Sequence, residues 1–327
     1  MTGKHHGAET FRPAPWLPGP HLQTILPSLW PAAPVDGPAE RMVVPVAESS
    51  AVRLEINRPQ GGSRGTLLLV HGMGGSAESG YMRRTAVPAL ERGWTVVRMN
   101  LRNCGGTEAL SRTLYNGGQS GDVGRVLEAL DQARFSRPFA AVGFSLGGNL
   151  VLRYAGVEGD GCRADTLAAL NPPIDLERCA SELERPANRI YQAYYTRKLL
   201  RALGRILAVR ELPGLPAPDR TVRSVRRFDH LYTAPDAGFA TAEIYYARAS
   251  AGPRLGGLAR PATVISAADD PFVPVEMFEP YRGLERARFL HPKRGGHCGY
   301  WQASGPRFWA AGALLYSLDR TAGAGSR

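Results

Sequence analysis

The chain has 327 residues, 43% of them hydrophobic, enough to bury the core of one large α/β domain or two smaller ones. Its net charge of +11, from 40 Lys and Arg against 29 Asp and Glu, is spread along the chain without a basic tail or an aromatic-interleaved basic run, which argues against nucleic acid as a partner. No stretch approaches the ~20 apolar residues of a membrane span, and the first residues lack the apolar segment of a secretory signal. Residues 1–40 are proline-rich (Pro13 through Pro38) and read as an irregular arm packing on the core. Strand-like runs follow at Met42–Val46, Val52–Ile56 and Thr66–Val70, the last a continuous aliphatic run typical of a buried strand. Tyr81–Arg92 reads as a helix, Thr95–Met99 as a strand, Gly121–Arg134 as a helix and Phe139–Phe144 as a strand. Leu146, Leu150, Val151 and Tyr154 then keep helical spacing, and Thr166–Leu170 is another strand. The alternation resumes with a helix at Ala240–Ser250, strands at Ala262–Ser266 and Ala287–Leu290, and a helix at Phe308–Leu318. This rhythm predicts a mostly parallel, doubly wound sheet covered on both faces.

One stretch breaks the rhythm. Between Asn171-Pro172-Pro173 and Thr233-Ala234-Pro235 lie about sixty residues without a convincing strand. Ile190–Leu207 is helical, with Leu199, Leu200, Leu203, Ile206 and Leu207 on one side and Arg197, Lys198, Arg201 and Arg205 on the other. The expected organisation is therefore an arm over residues 1–40, an α/β core over 41–171 and 236–327, and a helical lid insertion over 172–235. The basic stretch Arg197–Arg210 has the pattern of a peripheral membrane contact, although a plain lid helix is favoured. Cys104, Cys162, Cys179 and Cys298 have neither zinc spacing nor a disulfide framework, so free thiols in a reducing cytoplasm are expected. His5-His6 is too short a run to indicate a metal site, and no cofactor is implied.

Gly143-Phe144-Ser145-Leu146-Gly147 fits the G-x-S-x-G pattern, in which a sharp strand-to-helix turn lifts a serine hydroxyl out of the backbone. Gly61-Gly62-Ser63-Arg64-Gly65 fits it too, but Ser63 precedes a strand and no helix follows. Context selects Ser145 as the nucleophile. A serine hydroxyl needs a base, and the base an orienting acid. In doubly wound hydrolases these follow in the order serine, acid, histidine. That order leaves His291 and His297 as bases. His291 closes a strand before Pro292, whereas His297 sits in the glycine-hinged loop Arg294-Gly295-Gly296-His297 and is preferred. The acid lies in Asp269-Asp270-Pro271-Phe272-Val273-Pro274; Asp270, fixed by Pro271, is preferred and Asp269 is the alternative. Two backbone N–H groups are expected to form an oxyanion hole: that of Leu146, after the nucleophile, and that of Met73 in His71-Gly72-Met73-Gly74-Gly75. Cys298 beside His297 is a thiol alternative that would leave the Ser145 turn without purpose.

These motifs, with Gly19-Pro20-His21-Leu22-Gln23-Thr24, Asn100 to Gly106, Phe228-Asp229, Thr233-Ala234-Pro235 and Gly295 to Tyr300, resemble the YheT-like branch of the α/β-hydrolase fold, which also holds eukaryotic membrane-anchored ABHD phospholipases. The resemblance implies a serine hydrolase acting on carboxylic esters through a triad of Ser145, Asp270 and His297. The sequence departs from the family pattern at Tyr115-Asn116-Gly117-Gly118, where a histidine often stands at the second position. It also shows no N-terminal anchor of the eukaryotic kind, so the expectation is a small-molecule or lipid-like ester rather than a membrane phospholipid. The alternatives are a lipase or phospholipase working at a membrane surface and a non-catalytic binding protein.

Overall fold

The structure, a computed structural model, describes residues 11–212 and 214–322; the His5-His6 pair lies outside the described residues. In chain order the strands are β1 (Glu40–Ala47), β2 (Ser50–Asn57), β3 (Gly65–Val70), β4 (Trp94–Asn100), β5 (Phe139–Phe144), β6 (Thr166–Leu170), β7 (Ala262–Ile265) and β8 (Ala287–Leu290). They form one sheet in the order β1-β2-β4-β3-β5-β6-β7-β8. The hairpin β1–β2 and the pair β2–β4 are antiparallel, and every later pairing is parallel.

The period of two along β3 sorts its side chains between two cores. Leu67 and Leu69 pack with Met82, Ala86 and Ala89 of α2 (Gly80–Glu91) and with Leu314, Leu315 and Leu318 of the last helix (Trp309–Ala322). Leu68 and Val70 face Val123, Val126, Leu127 and Leu130 of α3 (Gly121–Gln132) and Leu150, Val151 and Ala155 of α4 (Leu146–Glu158). With both faces covered, β3 through β7 are buried along their whole length, which is why β3, β5 and β6 read as nearly continuous apolar runs, while β4 also buries Thr95, Arg98 and Asn100.

Helices fill the stretch that lacked strands. They are α5 (Leu176–Glu184), α6 (Arg189–Val209) and α7 (Val225–Phe228), continued through a π-turn at Asp229–Thr233 into α8 (Ala234–Asp236). The N-terminus of α5 is capped by Asp175, which accepts from the Arg178 N–H, and that of α9 (Ala242–Ala249) by Thr241, which accepts from the Ile244 N–H. The remaining helices are α10, the last helix named above, and α1 (Pro20–Leu29). The latter corrects the expectation of an irregular arm: Pro20 takes the first helical position, where its missing N–H has no helical partner to lose, and the helix continues through Pro27 to Leu29. None of the four cysteines forms a disulfide.

Candidate active site

The carboxyl ends of β3, β5, β6, β7 and β8 converge on one edge of the sheet, where doubly wound folds place their ligands. Ser145 follows β5 directly, at φ 50° and ψ −123°, a conformation that L-residues hold only when the surroundings impose it. Here they do. A Cβ on Gly143 would lie 2.2 Å from the Gly147 carbonyl oxygen, and one on Gly147 would lie 2.2 Å from that of Val70. The two glycines therefore let the turn close against β3, and the Ser145 N–H donates to Leu170 O at 2.8 Å. Ser63, by contrast, is tied into its own turn, donating to Gly65 O at 2.8 Å.

His297 stands over this serine. Its Nε2 is 2.9 Å from Ser145 Oγ and its Nδ1 is 2.7 Å from Asp270 Oδ2. The side chains of both partners of that second contact are almost wholly buried. The other Asp270 oxygen accepts the N–H groups of Phe272 and Val273 at 3.0 and 3.1 Å, so the carboxylate is fixed from both sides. Burial acts to lower the pKa of His297, but the Asp270 carboxylate, with a further contribution from Cys298, outweighs burial and holds the imidazole above the ordinary histidine range. Asp269 points elsewhere, accepting the Gly296 N–H at 2.9 Å and so bracing the histidine loop. His291 lies away from the serine, its Nδ1 bonded to Ser266 O at 3.1 Å. The Cys298 thiol contacts Leu170 O at 3.7 Å and lines the surface groove next to Ser145.

Two residues that the sequence reading did not single out hold this arrangement. Asn171, wholly buried at the end of β6, donates to Asp270 Oδ2 at 2.6 Å and to Gly296 O at 3.2 Å. Thr24 on α1 accepts the His297 N–H at 2.9 Å and donates to Pro20 O at 2.7 Å. Gln23 beside it exchanges two hydrogen bonds with the Trp301 backbone. The arm thus clamps the histidine loop from outside. Its signal in the sequence was the Gln23-Thr24 pair in an otherwise proline-rich segment; Asn171 left none beyond its place after a strand.

The loop after β3 is held just as closely. Burial pushes the His71 pKa down to about 4, so the ring is neutral near pH 7. The Leu101 N–H donates to its Nε2 at 3.1 Å, which leaves Nδ1–H to donate to Gly72 O at 2.8 Å. Within the loop the N–H groups of Gly72, Gly74 and Gly75 donate to the Tyr81 hydroxyl, the Tyr115 hydroxyl and Gly72 O. The Met73 N–H has no acceptor among the described residues. Leu146 opens α4, where helix geometry supplies no acceptor for its N–H. Met73 and Leu146 both line the space beside Ser145.

Two spaces meet at that serine. One is a cavity running under α5 and α6, lined by Leu176, Leu183, Leu199 and Phe272. The other is a groove of about 1390 Å³ between α1 and α6 that also reaches His297. Among the described residues no cluster of His, Cys, Asp and Glu could hold a metal ion.

A sheet of this topology, with a strained serine after β5, defines a class of enzymes, and the chain belongs to it: residues 65–304 match the α/β hydrolase fold family. Within that family the chain is 33% identical over 286 residues to the Escherichia coli K12 protein named "Putative esterase YheT", covering 86% of this chain and 84% of that one. A Saccharomyces cerevisiae monoacylglycerol lipase is 29% identical over 270 residues, which span 77% of this chain and 58% of the yeast protein. The solved structure of a 2,6-dihydroxy-pseudo-oxynicotine hydrolase shares the fold, with a TM-score of 0.59 at 19% identity over 88% of this chain and 69% of that one. The chain is therefore an α/β hydrolase with esterase- and lipase-named relatives.

Proposed function

We propose that the protein hydrolyses carboxylic esters through an acyl-enzyme carried on Ser145. The observation that supports this most directly is the pair of contacts on His297, 2.9 Å to the serine hydroxyl and 2.7 Å to the Asp270 carboxylate. In this reading Ser145 Oγ attacks the ester carbonyl while His297 Nε2 takes its proton. Asp270 holds the ring with Nδ1 protonated and stabilises the imidazolium that forms. The N–H groups of Met73 and Leu146 receive the developing oxyanion. His297 then protonates the departing alcohol, and a water deprotonated by the same ring releases the acid and restores Ser145. Residues 172–235 act as a lid: α5 and α6 roof the inner cavity, whose apolar walls suit the acyl group, and the groove toward α1 takes the alcohol side.

The test is labelling with a fluorophosphonate probe alongside hydrolysis of p-nitrophenyl esters. Wild type should label and turn over, whereas Ser145→Ala should do neither, with kcat lower by about 10⁴ to 10⁶. Ester hydrolysis within about tenfold of wild type in the Ser145→Ala protein would remove the mechanism.

A further inference from the structure

Helix α1 is built inside out. Its buried residues are Gln23, Thr24 and Pro27, and the first two are the polar clamp on the histidine loop. Its outward stripe is apolar: Leu22, Leu26 and Leu29 recur at helical spacing and are 39, 41 and 73% exposed, and Trp30 just beyond is 54% exposed. A surface helix ordinarily turns its apolar stripe inward. Across the groove α6 adds Ile190 and Tyr194, 65 and 54% exposed. The groove between these two rims leads to Ser145 and His297.

The lysine and arginine side chains that line the groove are not matched there by any Asp or Glu. Arg84 and Lys198 line the groove, and the Arg307 guanidinium lies over the Trp30 ring at 5.8 Å. Arg84 donates to the Pro27 and Trp30 carbonyls and Lys198 to the Tyr194 hydroxyl, but among the described residues none of the three makes a salt bridge with a carboxylate. Neither α1 nor α6 contains an Asp or Glu. In the basic stretch Arg197–Arg210, for which the sequence favours a plain lid helix over a membrane contact, Lys198 reaches the groove while Leu199, Leu203 and Ile206 are buried, Arg205 pairs with Glu108, and Arg210 donates to Asn103.

We propose that the outer stripe of α1, with the first turns of α6, docks on an anionic lipid surface, so that the groove opens into the lipid at Ser145. Apolar and aromatic side chains flanked by cations that no carboxylate neutralises match the interfacial zone of such a surface. A second copy of the chain fits less well, because a two-fold contact through this face would bring its cations toward one another. The inference does not rest on ester hydrolysis, and its test needs no turnover.

The experiment is co-sedimentation of the full chain with vesicles of phosphatidylcholine alone and of phosphatidylcholine mixed with phosphatidylglycerol, beside Leu22→Gln/Leu26→Gln. These two leucines lie outside the groove, and glutamine keeps helix propensity. Wild type should sediment with the anionic vesicles, less so in high salt, and the double variant should partition about tenfold or more weakly. Its thermal unfolding and its hydrolysis of a soluble short-chain ester should match wild type. Quenching of wild-type tryptophan fluorescence by brominated lipid reports the same docking without any variant. Three results would each overturn the proposal: wild type left in the supernatant and unquenched, a variant that binds as wild type does, or a wild-type dimer in solution that the two substitutions convert to monomer.

Discussion

Replacing Asp270 by Asn changes few atoms and reverses one hydrogen bond. In the native site Oδ1 accepts two backbone N–H groups while Oδ2 accepts from His297 Nδ1 and from the Asn171 amide. An asparagine that keeps its oxygen on the two N–H groups turns its own NH₂ toward two other donors. The imidazole relieves this by moving its proton to Nε2, which then faces Ser145 as a donor and cannot take the serine proton. The expected loss is about 10³ to 10⁴ in kcat, or ~4 to 5 kcal/mol of transition-state stabilisation. Asp269→Asn is the control. Its carboxylate accepts the Gly296 N–H, which an amide oxygen also accepts, so the loss should stay below about tenfold. Initial rates with a p-nitrophenyl ester, measured at saturation for both variants and wild type, decide the matter. A larger loss for Asp269→Asn than for Asp270→Asn would refute the assignment of the acid.

The raised pKa of His297 sets the pH profile. Activity needs the neutral ring, so kcat/KM should rise with pH through one ionisation lying above the ordinary histidine value of ~6.5. In Asp270→Asn burial and Cys298 still act on the ring but the carboxylate no longer raises it, so the residual activity should show that limb at lower pH; an unmoved limb would mean another group titrates. Thr24→Val removes the acceptor of a buried N–H, and the histidine loop should lose its register. A drop in kcat of about tenfold with KM little changed, recovered by Thr24→Ser, is expected; a lowered melting temperature with unchanged kcat would make the clamp purely structural.

Local pattern carried much of this architecture. β3, β5 and β6 are legible because a strand buried on both faces tends to a continuous apolar run, and the β5–α4 turn because only glycine permits the 2.2 Å approaches at positions 143 and 147. Order along the chain narrowed the base to two histidines, and the residues named from the sequence lie within hydrogen-bond reach of one another in the structure. What tertiary structure alone decided was everything that turns on a polar residue facing inward. The apolar period of α1 (Leu22, Leu26, Leu29) is present in the sequence but lies on its exposed face; that Gln23 and Thr24 form the buried face could not be read, because their partners lie more than 270 residues away. The neighbours Asp269 and Asp270 separate only when the loop is folded, since it is the placement of Gly296 against one and His297 against the other that gives each its part. The direction of the His297 shift likewise depends on burial, the Asp270 carboxylate and Cys298 acting at once on a ring. No one-dimensional pattern encodes that balance, because burial and the approach of the carboxylate depend on distances between segments far apart in the chain.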